Sequence, residues 1–110
     1  MIKQRIKKVG RIMECESSIK KVGGENRGDV LLFTLSTCIW CRKTKSFLDS
    51  LGVEYGYIDV DLVDGDEGEM VMLEMHKYNP KTSFPTIVVN KGEKVILGFE
   101  EDQIRESLRL

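Results

Sequence analysis

The sequence predicts an α/β fold in the order β-α-β-α-β-β-α, and three observations carry that prediction. Short apolar runs, beginning with Val30-Leu31-Leu32-Phe33-Thr34-Leu35, alternate with longer stretches whose apolar residues return every three or four positions. Turn and stop residues stand at the joints, namely Gly52, Asp64-Gly65-Asp66, Pro80 and Asn90-Lys91-Gly92-Glu93. The chain of 110 residues is 41% hydrophobic and 32% charged, enough apolar material for a single core and too much for a disordered tail.

Composition changes near residue 28. Lys and Arg occupy positions 3, 5, 7, 8, 11, 20, 21 and 27, and Gly23-Gly24-Glu25-Asn26-Arg27-Gly28 reads as a flexible connector. Residues 1–28 are therefore read as a basic N-terminal extension and linker, and residues 29–110 as the folded domain. Within the extension Ile2, Ile6, Val9, Ile12 and Met13 recur at helical spacing. Gly10 interrupts them at a cost of about 1 kcal/mol to a helix, so an amphipathic helix and a solvated arm both fit. Its basic residues read as a solvated face more readily than as a site for an acidic partner.

The domain opens on the strand at Val30–Leu35. A helix from about Ile39 to Leu51 gathers Thr44, Phe47, Leu48 and Leu51 on one side, and Gly52 ends it. A second strand runs from Tyr55 to Asp61. The Asp64-Gly65-Asp66 turn then leads into a helix from about Glu67 to Tyr78, with Val71, Met75 and Tyr78 at helical spacing and Pro80 beyond its end. Thr86–Val89 and Lys94–Leu97 flank Asn90-Lys91-Gly92-Glu93, a short hairpin with glycine where positive φ is tolerated. The segment from Glu100 to Leu110 opens on three acids suited to a helix N-terminus and buries Ile104 and Leu108. A parallel strand pair with a right-handed crossover, extended by an antiparallel hairpin, makes a four-stranded mixed sheet flanked by helices.

A formal charge of -1 gives no net preference for nucleic acid or an acidic membrane, so neither is expected as a partner. No run of about twenty apolar residues is present to span a bilayer. The start Met1-Ile2-Lys3-Gln4-Arg5 lacks the apolar stretch of a signal peptide, which sets the expectation of a cytoplasmic location, and a monomer is expected. Three cysteines with one close pair do not make a disulfide framework.

That close pair, Cys38-Ile39-Trp40-Cys41, sits where the first strand gives way to the first helix. Two cysteines three apart at a helix start share one exposed face, and the unpaired N–H groups and positive dipole end surround the first sulfur and favour its thiolate. Thiol–disulfide exchange needs an exposed thiolate and a second thiol within reach, so Cys38 is assigned the attack and Cys41 the resolution of the mixed disulfide. A zinc site would need two further ligands. Only Cys15 and His76 remain, at spacings matching no common pattern, and no metal site is expected.

The remaining chemically active residues take plainer readings. His76, in the second helix, reads as a surface or capping side chain, and Met70, Met72 and Met75 as core filler and helix surface. Cys15 reads as incidental, and the acidic run from Asp59 to Glu69 as a solvated loop and helix start without metal-ligand spacing.

From Asp29 to Leu108 the chain resembles the glutaredoxin branch of the thioredoxin-fold family. The matches are the strand ending in Ser36-Thr37, the motif Cys38-Ile39-Trp40-Cys41 followed by Arg42 and Lys43, the stretch Ser83-Phe84-Pro85-Thr86, and Gly98-Phe99 with Asp102 before the last helix. Trp40 inside the motif is similar to the glutaredoxin pattern; in thioredoxins the Trp precedes the first cysteine. The resemblance implies a thioredoxin-like fold, a cis Pro85 beside the dithiol, catalytic Cys38 and Cys41, and a substrate surface of Thr37, Trp40, Phe84, Pro85, Gly98, Phe99 and Asp102.

It further implies a thiol–disulfide oxidoreductase acting on protein disulfides or glutathione-mixed disulfides, with no tightly bound cofactor. Glutaredoxins usually hold glutathione through a Lys three residues before the first cysteine and a Gly-Gly-x-x-Asp turn. Here Leu35 takes the Lys position, Phe99 replaces the second Gly, and Glu100 and Glu101 add negative charge near the carboxylates of the tripeptide. Gly98-Phe99-x-x-Asp102 is similar to the redoxins that carry electrons to ribonucleotide reductase and can be served by a protein reductase, so glutathione and a protein disulfide reductase both stand as electron donors. Two other classes stay open: an iron–sulfur carrier bridging a cluster through its first cysteine and glutathione, and a redox-inactive adaptor.

Overall fold

Strands that alternate apolar and polar residues bury their apolar sides only when other elements cover them. In the computed structural model, which describes residues 18–110, helices cover both faces of one mixed sheet. The elements are β1 (Lys20–Val22), β2 (Val30–Thr34), α1 (Ile39–Leu51), β3 (Tyr55–Asp59), α2 (Gly65–Tyr78), β4 (Thr86–Val89), β5 (Lys94–Leu97) and α3 (Glu101–Leu108). Short 3-10 turns, Val60–Leu62 and Asn90–Gly92, follow β3 and β4. The strand order is β1-β3-β2-β4-β5, with β2 and β3 parallel and the other neighbours antiparallel.

Alternation along the strands sorts the core into two layers. Val30, Leu32, Tyr55, Ile87, Val89 and Ile96 face α1 and α3, where Leu48, Ile104 and Leu108 meet them. Phe33, Ile58 and Val88 face the other way, onto Val71 and Met75 of α2. Met70 and Met72 pack partly buried against that second layer, and Met75 is fully buried within it. The parallel pair β2–β3 requires a crossover, which α1 supplies. This helix ends at Gly52 in the left-handed region, at φ 70.

The sheet has one strand more than the four expected. Strand β1 comes from the stretch read as extension and linker, and pairs with β3 from Lys20 opposite Tyr57 to Val22 opposite Tyr55. The glycine-rich stretch read as a flexible connector is tied down. Glu25 bridges Val53 in parallel, its N–H donates to the Gly52 carbonyl at 2.8 Å, and its own carbonyl accepts the Glu54 N–H at 2.8 Å. Glycine serves close approach here, because a Cβ at Gly24 would lie 2.6 Å from the backbone carbon of Val53. Strand β3 ends at Asp59, short of Asp61, because the chain tightens into a 3-10 turn at Val60. The helical pattern between Ile2 and Met13, and Cys15, lie outside the described residues.

This pinning predicts an asymmetry between adjacent glycines. Gly24→Ala should lower unfolding free energy by about 1–3 kcal/mol through forced displacement of Val53. A Cβ at Gly23 would meet nothing within 4 Å. Gly23→Ala should therefore stay within roughly 0.5 kcal/mol of the parent protein in urea denaturation.

Candidate dithiol site

Strand β2 ends at Thr34, and the chain turns through Leu35, Ser36 and Thr37 before α1 begins. Asp61, just past β3, holds that turn: its Oδ1 accepts the Ser36 N–H at 2.9 Å and its Oδ2 the Ser36 hydroxyl at 2.5 Å. These two donors hold the Asp61 carboxyl below its usual range. The Cys38 N–H donates to the Leu35 carbonyl at 3.1 Å, fixing the point where the helix starts.

Cys38 is the N-cap of α1, with extended φ of -86 and ψ of 121. Its Sγ accepts the Cys41 N–H at 3.3 Å, and its carbonyl accepts the Arg42 N–H at 3.1 Å. The sulfur thus takes the place an Asn, Asp or Ser oxygen usually holds at a cap. Both thiols are free, Cys38 half-buried and Cys41 wholly buried. Burial pushes the Cys41 thiol up to about 12, and the hydrogen bond and charge of Cys38 add to the rise. A backbone hydrogen bond from Leu35 and, after it, the charge of Lys45 act in the opposite direction.

Sheet register brings the other walls to the same end. Phe33 of β2 stands opposite Thr86 of β4, and Thr86 opposite Leu97 of β5. The segments Leu35–Cys38, Ser83–Pro85 and Gly98–Phe99 therefore all join the sheet at the same end of its strands. The Phe84–Pro85 peptide bond is cis, in agreement with the resemblance, and the Pro85 carbonyl accepts the Gly98 N–H at 2.9 Å. Gly98 sits at φ 89, a conformation that favours glycine there. The backbone N–H and C=O of Phe84 have no hydrogen-bond partner among the described residues.

The ring of Phe99 lies between two others, with its centroid 6.3 Å from that of Trp40 and 5.7 Å from that of Phe47. Trp40 nonetheless remains 54% exposed and its neighbour Ile39 58%, so an apolar surface opens beside the Cys38 sulfur. Lys43 caps the Trp40 ring with its Nζ 5.5 Å from the centroid. Thr37 is exposed next to Cys38, and Pro85 is buried. Asp102 stands exposed in the first turn of α3, after Glu100 and Glu101. His76 is exposed on α2 and its Nε2 lies 2.6 Å from Thr82 Oγ1, at some remove in sequence from the dithiol.

Three groups around the site escaped sequence reasoning. Asn79, 1% exposed, donates from Nδ2 to the Ser83 carbonyl, Ser83 Oγ and Thr86 Oγ1, and its Oδ1 accepts the Lys81 N–H. It is the scaffold of the loop carrying Phe84 and Pro85; Asn next to Pro80 was the available signal. Lys45 and Asp59 pair at 3.1 Å, with Asp59 2.6 Å from Thr34 Oγ1. Asp61 holds the turn before Cys38. Both acids fell within the run read as a solvated loop, and they are engaged instead, because that loop folds back onto β2 and α1. No three His, Cys, Asp or Glu side chains among the described residues are arranged to hold a metal ion. None of the described helices is long and apolar enough to cross a membrane. A cleft of about 580 Å³ lined by Ile19, Lys21, Val30, Tyr55 and Lys91 is bordered by none of the dithiol residues.

Comparison with known proteins agrees with this architecture. The glutaredoxin family model matches residues 30–95. A glutaredoxin structure from Methanosarcina mazei Go1 is 46% identical and superposes with a TM-score of 0.77 over 84% of this chain and 89% of the other. Methanoredoxin of Methanosarcina acetivorans is 43% identical, with a TM-score of 0.78 over 83% of this chain and 96% of the other. A Clostridium pasteurianum protein, described as an uncharacterised glutaredoxin-like 8.6 kDa protein in a rubredoxin operon, is 31% identical over 68% of this chain and 91% of its own length. The chain belongs to the glutaredoxin family, whose thioredoxin fold and general thiol–disulfide oxidoreductase chemistry it shares.

Proposed function

We propose that this protein is a dithiol reductase of protein disulfides, with Cys38 as nucleophile and Cys41 as resolving thiol. The observation that carries the reading is their inequality: the sulfur at the helix cap is open to a partner, whereas the Cys41 thiol is wholly buried and holds its proton to about 12. Two equal thiols would compete for the substrate, and two unequal ones act in order.

The Cys38 thiolate attacks one sulfur of the substrate disulfide. A Cys38–substrate S–S bond forms, the substrate S–S bond breaks, and the departing thiolate takes a proton from solvent. Cys41 then loses its proton and attacks Cys38 Sγ. The Cys38–Cys41 bond forms as the mixed disulfide breaks, and the substrate leaves with both sulfurs reduced. Two electrons have passed to the substrate disulfide. During the second step Cys38 carries no thiolate, so two of the influences that hold up the Cys41 proton are gone. The arrangement thus keeps Cys41 quiet until Cys38 has reacted.

The surface around Cys38 suits an extended polypeptide. The unpartnered N–H and C=O of Phe84 offer strand-like hydrogen bonds, and Trp40, Ile39 and Phe99 offer apolar contact, with Thr37, Pro85 and Gly98 at the same end of the sheet. Asp102 and the preceding acids place negative charge at the start of α3. Leu35, whose carbonyl receives the Cys38 N–H, brings an apolar side chain where glutaredoxins place a Lys. A protein reductase is therefore favoured over glutathione as the source of electrons, and ribonucleotide reductase is one candidate recipient on family resemblance.

Cys38→Ser should abolish disulfide reduction, whereas Cys41→Ser should accumulate a mixed disulfide with substrate. Peptide mapping of that adduct should find the substrate on Cys38, and attachment elsewhere would reverse the assignment. For the donor, each charge-assisted contact to a glutathione carboxylate is worth about 1.5–3 kcal/mol, or at least tenfold in binding. Leu35→Lys combined with Glu101→Ser should raise glutathione-dependent turnover by about tenfold or more and leave reduction by dithiothreitol nearly unchanged. Efficient turnover of the unmodified protein with glutathione in a coupled assay would refute this choice of donor.

A further inference from the structure

Lys45 follows Cys41 by four residues on α1. Side chains at that spacing share a helix face with Cβ atoms about 5–6 Å apart. A lysine so placed ordinarily extends its ammonium into water. This one is only 21% exposed, its Nζ 3.1 Å from Asp59 Oδ1 and 3.8 Å from the centroid of the Tyr57 ring. Asp59 is itself 13% exposed. Its Oδ1 also lies 2.6 Å from Thr34 Oγ1, which sits 3.1 Å from the Ile58 carbonyl. Residues from α1, β2 and β3 thus hold fast one cation whose side chain starts one helical turn from the buried thiol. Exposed ion pairs contribute about 0–1 kcal/mol, and fixing a long side chain while withdrawing two charges from water opposes even that. Stability alone is a weak reason for the arrangement.

We propose that Lys45 and Asp59 are a positioning pair that governs when Cys41 can ionise and resolve the mixed disulfide, Lys45 promoting the Cys41 thiolate and Asp59 restraining Lys45. This inference rests on the dithiol reading above. Burial is the main influence holding the proton on Cys41, Cys38 adds to it, and Lys45 is the cation that opposes them. Once Cys38 is bonded to substrate, burial is opposed by a backbone hydrogen bond from Leu35, which no side-chain substitution removes, and by Lys45, the one charged group among the opposing influences.

The surrounding charges leave Lys45 little competition. From its own helix Cys41 faces Lys45, with Cys38 at the cap, and from the turn before the helix the Leu35 backbone. From β3, Asp59 and Tyr57 act through Lys45, and beyond that strand Asp61 is engaged by Ser36. The loop from Asn79 to Thr86 contributes the neutral Ser83 and Thr86, and its Lys81 is exposed, as are Glu100, Glu101 and Asp102 at the start of α3. In the step itself the Cys41 proton passes to solvent, Cys41 Sγ bonds to Cys38 Sγ, and the departing thiolate carries away the electron pair of the broken bond. Lys45 neither gives nor takes an atom.

The test uses Ellman's reagent, an aryl disulfide, at one equivalent in single-turnover mixing across pH. A first coloured thiolate is released when Cys38 attacks, and a second when Cys41 resolves. In Lys45→Gln the midpoint of the second release, read against the first in the same protein, should move up by roughly one pH unit, about tenfold slower at neutral pH. Lys45→Arg should restore it. Asp59→Asn should move the midpoint down by about half a unit, because the restraint on Lys45 is lost. Opposite signs are the signature of charge tuning, since a folding defect from breaking the pair would slow both variants alike. A second release that titrates identically in Lys45→Gln and the parent protein, or that shifts the same way in both variants, overturns the inference while leaving the dithiol reading intact. Absence of any second release in the parent protein overturns the dithiol reading and this inference with it.

Discussion

Helix α1 carries no acidic residue in its first turn and takes its N-cap from a sulfur, and the other features of the site are arranged around that substitution. A helix start leaves N–H groups without intrahelical partners, and at most caps an oxygen answers them. Here the Cys41 N–H points at Cys38 Sγ, so the atom that closes the helix is also the atom available for exchange. The same geometry places Cys41 one turn further in, on the covered face, where burial raises its thiol to about 12. One structural choice at the strand–helix junction therefore produces both an open sulfur and a silent one.

Keeping that junction in place requires support from three directions. Asp61 ties Ser36 from just past the end of β3, the Leu35 carbonyl receives the Cys38 N–H, and the neighbouring β4 strand begins directly after Pro85, whose carbonyl is bound by Gly98. Asn79 stabilises the loop leading to Pro85 through hydrogen bonds that a buried amide must make to avoid an unpaired cost of about 1–3 kcal/mol. Beneath the turn, both sheet faces are packed, with Phe33, Ile58 and Leu48 wholly buried. The site is thus carried by rigid elements, and the apolar surface of Trp40 and Ile39 is the part left open to a partner.

Local patterns made much of this legible in the sequence. The limits of α1 at Ile39 and Leu51 followed from a cap-like junction and Gly52, and the β4–β5 hairpin from a turn sequence between two apolar runs. Its turn places Asn90 and Lys91, as well as Gly92, at positive φ, and the Asn90 N–H donates to the Asp29 carbonyl while its Oδ1 accepts the Asp29 N–H. Strand β1 was not legible. Lys20-Lys21-Val22 is short and polar, and its strand character comes only from pairing with Tyr55–Tyr57, far along the chain. The roles of Asp59 and Asp61 were hidden for the same reason: a carboxylate in an acidic run shows no partner until the fold brings Lys45 and Ser36 to it. Asn79 likewise needed the return of β4 to reveal what its amide holds.

The central claim is that the two thiols differ in availability because one caps a helix and the other is enclosed beneath it. Alkylation of the fully reduced protein by a limiting amount of iodoacetamide at neutral pH, followed by peptide mass spectrometry, tests that claim most directly. The account predicts modification at Cys38 with Cys41 essentially untouched, and predicts that Cys41 becomes reactive only when the protein is unfolded before labelling. Equal labelling of Cys38 and Cys41 in the folded protein, or preferential labelling of Cys41, would contradict it.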